Sequence, residues 1–282
     1  MQLEMSLIKE RNPLRYLSYY LQRRKRIANN YKQLKELQEI IRNKSVNTFF
    51  QPLVHFKTGE NIGYEIFNRP TVSSSFPTTE KFYDFVGQTN LVFSVEKVFR
   101  EISLSRFRES LQEHPSEKEA LIFLNVHPHI LLDPLYRSGE TLRLLKSFGI
   151  SPEQIVFEIS EKAAIDNYQH FEAVLRNYRS QGFRIALDDA GSGYNSLKTL
   201  VYLKPEFLKL DKALIQNIDQ DKTKQQLVRI LLDFSNQSDT CLIAEGVERR
   251  EELCYLKDQG IHVGQGYAIG KPSQSLIKGT LD

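Results

Sequence analysis

FRIALDDAGSGYNSL, residues 183–197, drives an apolar, strand-like segment straight into two adjacent aspartates, Asp188 and Asp189, and follows them with a glycine-bearing turn. Like charges side by side cost free energy unless a cation, a proton or bulk water compensates them. The same pattern, a short apolar run ending in a polar group, recurs along the chain. It is seen in TFFQPLV (48–54), GYEIF (63–67), LIFLNV (121–126), IVFEIS (155–160), EFLKLD (206–211), CLIAEGV (241–247) and HVGQGYAIG (262–270). Between the runs lie stretches of helix length, such as Asp166–Gly182, Lys222–Gln237 and Arg249–Gly260, the first and last stopping at glycine. Eight strand-like runs interleaved with helices over about 230 residues predict an α/β fold of the (β/α)8 barrel type. A doubly wound open sheet has the same periodicity, which does not decide closure.

Upstream of the first run, residues 1–45 form a separate, basic arm. They carry eleven Lys/Arg against four Asp/Glu, a net +7, so the remainder of this +3 chain is about −4. The basic balance therefore belongs to the arm and argues against a nucleic-acid polymer as partner of the main domain, residues 46–282. LSYYLQRRKRIANNYKQLKELQEIIRNK (17–44) lacks Gly and Pro, and Leu34, Leu37, Ile40 and Ile41 recur at helical spacing, after a break near Asn12-Pro13. Such a helix suits dimerisation, packing on the main domain, or weak contact with an anionic membrane surface. Cys241 and Cys254, thirteen apart, offer neither a C-x-x-C pair nor a disulfide framework. No run reaches the roughly 18–20 apolar residues of a membrane span, and a cytoplasmic protein is expected.

The strand-end groups carry the chemistry: Glu65, Asn125, Glu158, Asp188 with Asp189, Asp211 and Glu245. In a barrel the strand ends converge on one face, so residues far apart in sequence meet in one pocket. Several carboxylates in one cleft repel, and hard divalent cations reverse the sign of that interaction. All-oxygen ligation favours Mg²⁺ or Mn²⁺ over zinc or copper. A lone acid at a strand end is more often a helix N-cap, Lys209 alone is an ordinary lysine, and His127 and His129 read first as loop histidines. Recurrence at the same place in successive units is what separates this set from independent caps.

Taken together, these residues resemble the EAL-domain family of cyclic-di-GMP phosphodiesterases. The signature E-A-L-x-R reads Glu65-Ile66-Phe67-Asn68-Arg69, F-Q-P is Phe50-Gln51-Pro52, and N-V-S-P is Asn125-Val126-His127-Pro128. Glu158-Ile159-Ser160-Glu161 resembles the family's E-L/V-T-E, and DDAGSGYNSL (188–197) its D-D-F-G-T-G-Y-S-S-L. Lys209 and Asp211 fall in LKLDKALI, AEGVE carries Glu245 and Glu248, and Gln265-Gly266-Tyr267 matches the closing Q-G-Y. The likeness spans about residues 48–273.

The resemblance implies a modified TIM-type barrel whose first strand runs opposite to the rest, a homodimer, and hydrolysis of cyclic di-GMP to linear pGpG with two Mg²⁺ or Mn²⁺ ions. It assigns Glu65, Asn125, Glu158 and Asp188 to one ion, with Asp188 bridging to a second completed by Asp189 and Glu245, and Asp211 supporting the cluster. It gives Lys209 and Glu245 catalytic roles. Arg69 would grip a phosphate; Gln51, Phe67, Glu248 and Gln265 would meet the nucleotide; Glu161 would anchor the loop after Asp188. The alternative is a module that binds cyclic di-GMP or a protein without turnover; loss of a ligand marks such members, and every ligand is present here. Four positions depart from the family pattern: Ile66 and Phe67, His127, and Ala190 in place of an aromatic, where a ring is expected to add packing and tighten the metal loop.

Overall fold

Successive side chains of a strand point to opposite faces of the sheet, with a period of two. The computed structural model describes residues 13–127, 130, 139–160, 168–191, 200 and 203–281. In it, all eight runs are strands: β1 (Val46–His55), β2 (Asn61–Pro70), β3 (Leu121–Asn125), β4 (Ile155–Ser160), β5 (Arg184–Ala190), β6 (Phe207–Leu210), β7 (Cys241–Ala244) and β8 (Val263–Gly264). They close into a barrel in sequence order, so the open-sheet alternative is excluded. β1 is antiparallel to both neighbours, β2 and β8, and the remaining pairs are parallel. β1 and β2 form a hairpin whose turn uses Gly59 at φ 72°, a conformation that favours glycine.

The helices are α1 (Pro13–Asn43), α2 (Thr79–Val86), α3 (Val92–Ser110), α4 (Glu140–Phe148), α5 (Tyr168–Ser180), α6 (Lys212–Ile215), α7 (Lys222–Gln237) and α8 (Arg250–Asp258). α2 starts at a threonine cap, Thr78, whose hydroxyl accepts from the Lys81 amide, and Asp221 caps α7 in the same way. Among the described residues no helix is long and apolar enough to cross a membrane.

Two layers fill the barrel. Leu53, Phe123, Val156, Ala186, Phe207, Ile243 and Val263 form one apolar cluster, one residue from each strand except β2. β2 contributes Gly63, where a Cβ would lie 2.4 Å from the Leu121 carbonyl oxygen. Two residues further along each parallel strand, on the same face, stand Glu65, Asn125, Glu158, Asp188, Lys209, Glu245 and Gln265. β1 runs the other way, so its member of this polar layer lies two residues back from Leu53, at Gln51, cross-strand from Glu65. The strand period thus converts an apolar plug into a ring of functional groups one layer higher.

α1 is joined to the barrel by its C-terminal turns. Leu37 is fully buried and Ile40 nearly so, in a cluster with Phe76, Phe82 and Phe99. Lys32 and Gln33 hold the 71–78 loop through Ser74 Oγ (3.0 Å) and the Ser75 carbonyl (3.1 Å). Residues 17–32 are exposed, Leu17, Tyr20, Leu21, Ile27 and Tyr31 among them.

Candidate metal centre

Lys209 stands at the centre of the polar ring with its side chain 1% exposed. Its Nζ lies 3.0 Å from Glu65 Oε2, 2.5 Å from Glu245 Oε1 and 3.6 Å from Asp188 Oδ1, and also touches Glu158 Oε1. Burial alone would strip its proton, but Asp188, Glu158, Glu245 and Glu65 together outweigh burial and raise its pKa well above the usual lysine value. Burial and the Glu65 charge raise the Glu158 carboxyl well above the carboxylate range. Burial lifts Glu245 to about 8 against the pull of Lys209. Glu65 shifts the other way: burial would raise it, but the Lys209 ammonium and the Gln265 amide prevail and lower it.

Glu65 is fixed from two more directions. Asn125 Nδ2 donates to its Oε1 at 2.9 Å, and Gln265 Nε2 donates to its Oε2 at 2.8 Å. The same Gln265 nitrogen reaches Gln51 Oε1 at 3.1 Å, and Gln51 Nε2 donates to the Gly270 carbonyl at 2.9 Å. At the end of β5, Asp189 adopts φ 58°, uncommon for a residue with a Cβ, and its amide donates to Asp188 Oδ1 at 2.9 Å. That twist turns two consecutive carboxylates to one side, and with Glu245 they offer oxygens all within 4.8 Å of one another.

These residues fit a hard divalent cation. Glu158 Oε2 is buried without a hydrogen-bond partner, and so is Gln265 Oε1. The Lys209 ammonium faces four carboxylates, those of Glu65, Glu158, Asp188 and Glu245, and Asp189 stands beside the last two. The donors are oxygens throughout, the ligand type that Mg²⁺ and Mn²⁺ prefer. Above the ring opens a cavity of about 750 Å³, lined also by Phe67, Arg69, Thr79, Tyr83, Phe99 and Tyr267. Its size suits a small organic ligand.

Other expected site residues stand further out. Asp211 lines the cavity but caps α6, accepting the Ala213 amide at 2.7 Å. Arg69 is exposed at the rim, its guanidinium 4.9 Å from the Phe49 ring centroid. Glu248 also borders the cavity and pairs with Lys212 at 2.5 Å. Glu161 lies outside the described residues, as do His129, Pro128 and most of the turn after Gly191. Ala190 is fully buried in the core, in register with Leu210, so its methyl is enclosed packing. Sequence reasoning missed Glu96 and Arg100, two cavity-lining charges on the buried face of α3. The signal was present in VFSVEKVFRE, where charges at i and i+4 fall among the apolar positions of the helix.

An eight-stranded α/β barrel that gathers an acidic, lysine-centred ring at the carboxyl ends of its strands, beneath an open cavity, has the architecture of a barrel protein with its site at the strand ends. The chain belongs to the EAL domain family, whose sequence profile matches residues 34–272. It is 31% identical over 226 residues to the probable cyclic di-GMP phosphodiesterase PdeA of Escherichia coli (strain K12), covering 79% of this chain and 30% of PdeA. It is 28% identical over 198 residues to the cyclic di-GMP phosphodiesterase PdeF of the same organism, covering 70% of this chain and 26% of PdeF. The chain thus spans less than a third of the length of these relatives. Among solved structures, a standalone versatile EAL protein from Vibrio cholerae O395 in its c-di-GMP-bound form superposes with a TM-score of 0.69 at 25% identity, covering 83% of this chain and 95% of that one. The Xanthomonas citri FimX EAL domain in complex with c-diGMP reaches 0.78 at 17% identity, covering 91% and 100%. This second likeness speaks to the fold alone.

Proposed function

We propose that this chain hydrolyses cyclic di-GMP to linear pGpG with two divalent cations, Mg²⁺ or Mn²⁺. The observation that carries the reading is the polar ring itself, with its buried, partnerless Glu158 oxygen and its excess of carboxylates over ammonium. Glu65, Asn125, Glu158 and Asp188 hold one ion; Asp188, Asp189 and Glu245 hold the other. The chemistry such ions supply when bound is neutralisation of the phosphodiester and a water acidic enough to lose its proton near neutral pH.

The protein's own residues do the rest. Arg69 at the rim pairs with a phosphate, the geometry for which a guanidinium is suited. Phe67, Glu248, Gln51 and Gln265 border the nucleotide, the two glutamines also keeping Glu65 oriented. Hydrolysis adds the oxygen of water to phosphorus, breaks one P–O bond and delivers a proton to the released ribose hydroxyl. Glu245, ion-paired with Lys209 in the ring, accepts the proton of water. Lys209 keeps its charge at Nζ and stabilises negative charge developing on the leaving oxygen. Asp211 fixes the start of α6 beside Lys209. The same reading takes the protein as a cytoplasmic homodimer in which residues 1–45 meet a partner or an anionic membrane surface.

Incubation of the purified protein with cyclic di-GMP and Mn²⁺ tests this directly. Chromatography should show pGpG, EDTA should abolish its formation, and Ca²⁺ should support binding with little turnover. Binding of cyclic di-GMP with no pGpG under any metal would leave a receptor; full activity in chelated buffer would remove the metals from the mechanism.

A further inference from the structure

Two buried charges take no part in the chemistry above. Glu96 and Arg100 are 9% and 8% exposed, one turn apart on the face of α3 that packs into the core. Arg100 Nη2 donates to Glu96 Oε2 at 2.6 Å, and its Nη1 donates to Thr141 Oγ1 of α4 at 2.8 Å. Its guanidinium lies 5.1 Å from the centroid of Phe157, the residue before Glu158. The other oxygen, Glu96 Oε1, accepts the backbone amide of His127 at 2.5 Å.

That last contact is where the pair meets the ring. β3 ends at Asn125, and beyond it the sheet ladder no longer orders the chain. Two amides then take over: Val126 donates to the Glu158 carbonyl at 3.0 Å, and His127 to Glu96. Together they determine how the backbone leaves Asn125, and hence where its side chain points. That side chain donates to Glu65 Oε1 at 2.9 Å. An ion pair buried this deeply costs desolvation free energy that its Coulomb attraction roughly offsets, so net stability is a poor reason for its presence. A requirement for one defined geometry is a better one.

We propose that Glu96, held by Arg100, is a positioning residue for Asn125: by accepting the His127 amide it fixes the exit of β3 and aims the Asn125 side chain at the ring. Both Glu96 oxygens are engaged inside the protein, so its influence on the ring runs through Asn125. Its consequence for metal affinity rests on the metal-binding reading of the ring, whereas its consequence for the backbone does not.

Two double variants isolate the contact, because each removes both charges and leaves no unpaired ion in the core. Glu96→Met/Arg100→Leu has no acceptor for the His127 amide. Glu96→Gln/Arg100→Leu restores a neutral acceptor at the same place. In the metal-free protein, hydrogen exchange at the His127 amide should be at least about tenfold faster in the methionine variant than in wild type, and close to wild type in the glutamine variant. The Mn²⁺ dissociation constant, read from the electron paramagnetic resonance of free Mn²⁺, should rise roughly 10- to 100-fold in the first and stay within about threefold in the second. Both variants should melt at similar temperatures, which separates positioning from mere stability. Wild-type exchange at His127 in the methionine variant, equal Mn²⁺ affinity in the two variants, or equal impairment of both would overturn the proposal. A wild-type protein that binds no Mn²⁺ while the exchange difference persists would sink the metal-dependent reading and leave the positioning role standing.

Discussion

At the residue scale, the carboxylates of the ring make folding and metal binding depend on pH in opposite senses. Glu245 has an unfolded value near 4.5 and a folded value of about 8, and Glu158 is raised as well, chiefly by burial. Between those limits the folded state binds more protons than the unfolded one, so the stability these groups contribute is complete below about 4.5 and is lost as pH rises through about 8. The metal-free protein should therefore melt at progressively lower temperature from about pH 5 to pH 8, and saturating Mn²⁺ should flatten or reverse that slope, since bound cations favour the ionised carboxylates. Differential scanning calorimetry with and without Mn²⁺ decides it; a melting temperature that rises with pH in chelated buffer refutes the burial argument. Lys209→Ala removes the ammonium from among four carboxylates, and without metal it should cost about 3–5 kcal/mol, as the loss of one partner of a buried ion pair does. With metal it should lower kcat more than it raises KM; an unchanged kcat would remove the lysine from the mechanism. Ala190→Phe, expected from the family pattern to tighten the metal loop, should instead destabilise by roughly 1–3 kcal/mol, because the methyl is already enclosed. A higher melting temperature and tighter Mn²⁺ binding in that variant would show that a pocket for the ring exists after all.

At the element scale, the sequence announces its strands more clearly than their connections. The six runs from β3 to β8 carry their polar residue two positions beyond a core residue, a spacing visible in LIFLN, IVFE and FLK before any coordinates. Direction is not visible in such a pattern, because a period of two reads alike both ways; only the resemblance to the EAL-domain family implied the reversal of β1. Closure was equally illegible, since it depends on the pairing of β1 with β8 across the full length of the domain. Asp211 shows the opposite case: the plain reading of a strand-end acid as a helix cap describes what its Oδ1 does. Glu96 and Arg100 escaped because a Glu–Arg pair at i and i+4 usually marks a solvated helix face, and only packing reveals burial. The arm divides likewise. Residues 17–32 are exposed, whereas Leu37 is completely enclosed. Deleting residues 1–28 should leave the melting temperature of the barrel nearly unchanged, while Leu37→Ala should cost about 2–5 kcal/mol. Equal effects from the two changes would mean that the exposed turns are also held.

At the scale of the whole molecule, the reversal of β1 has a geometric result. In a barrel of parallel strands a preceding segment joins the first strand at the face opposite the ligand. Here β1 begins at Val46, cross-strand from Pro70 at the carboxyl end of β2, so the arm joins the barrel on the ligand's side. Its buried turns rest against Phe76 and Phe82, and Thr79 and Tyr83, neighbours of that contact, line the cavity. The chain returns to that side after β8: Ser273 exchanges backbone hydrogen bonds of 2.7 and 2.9 Å with Phe50, next to Gln51. The arm is thus seated on the cavity's side of the barrel, whereas Gly279 donates its amide to Asn61 at the start of β2, on the opposite side. A tug or twist on the arm would reach the entrance through a few packed aromatic rings without crossing the barrel, and the fold has in this way wired its handle to its mouth.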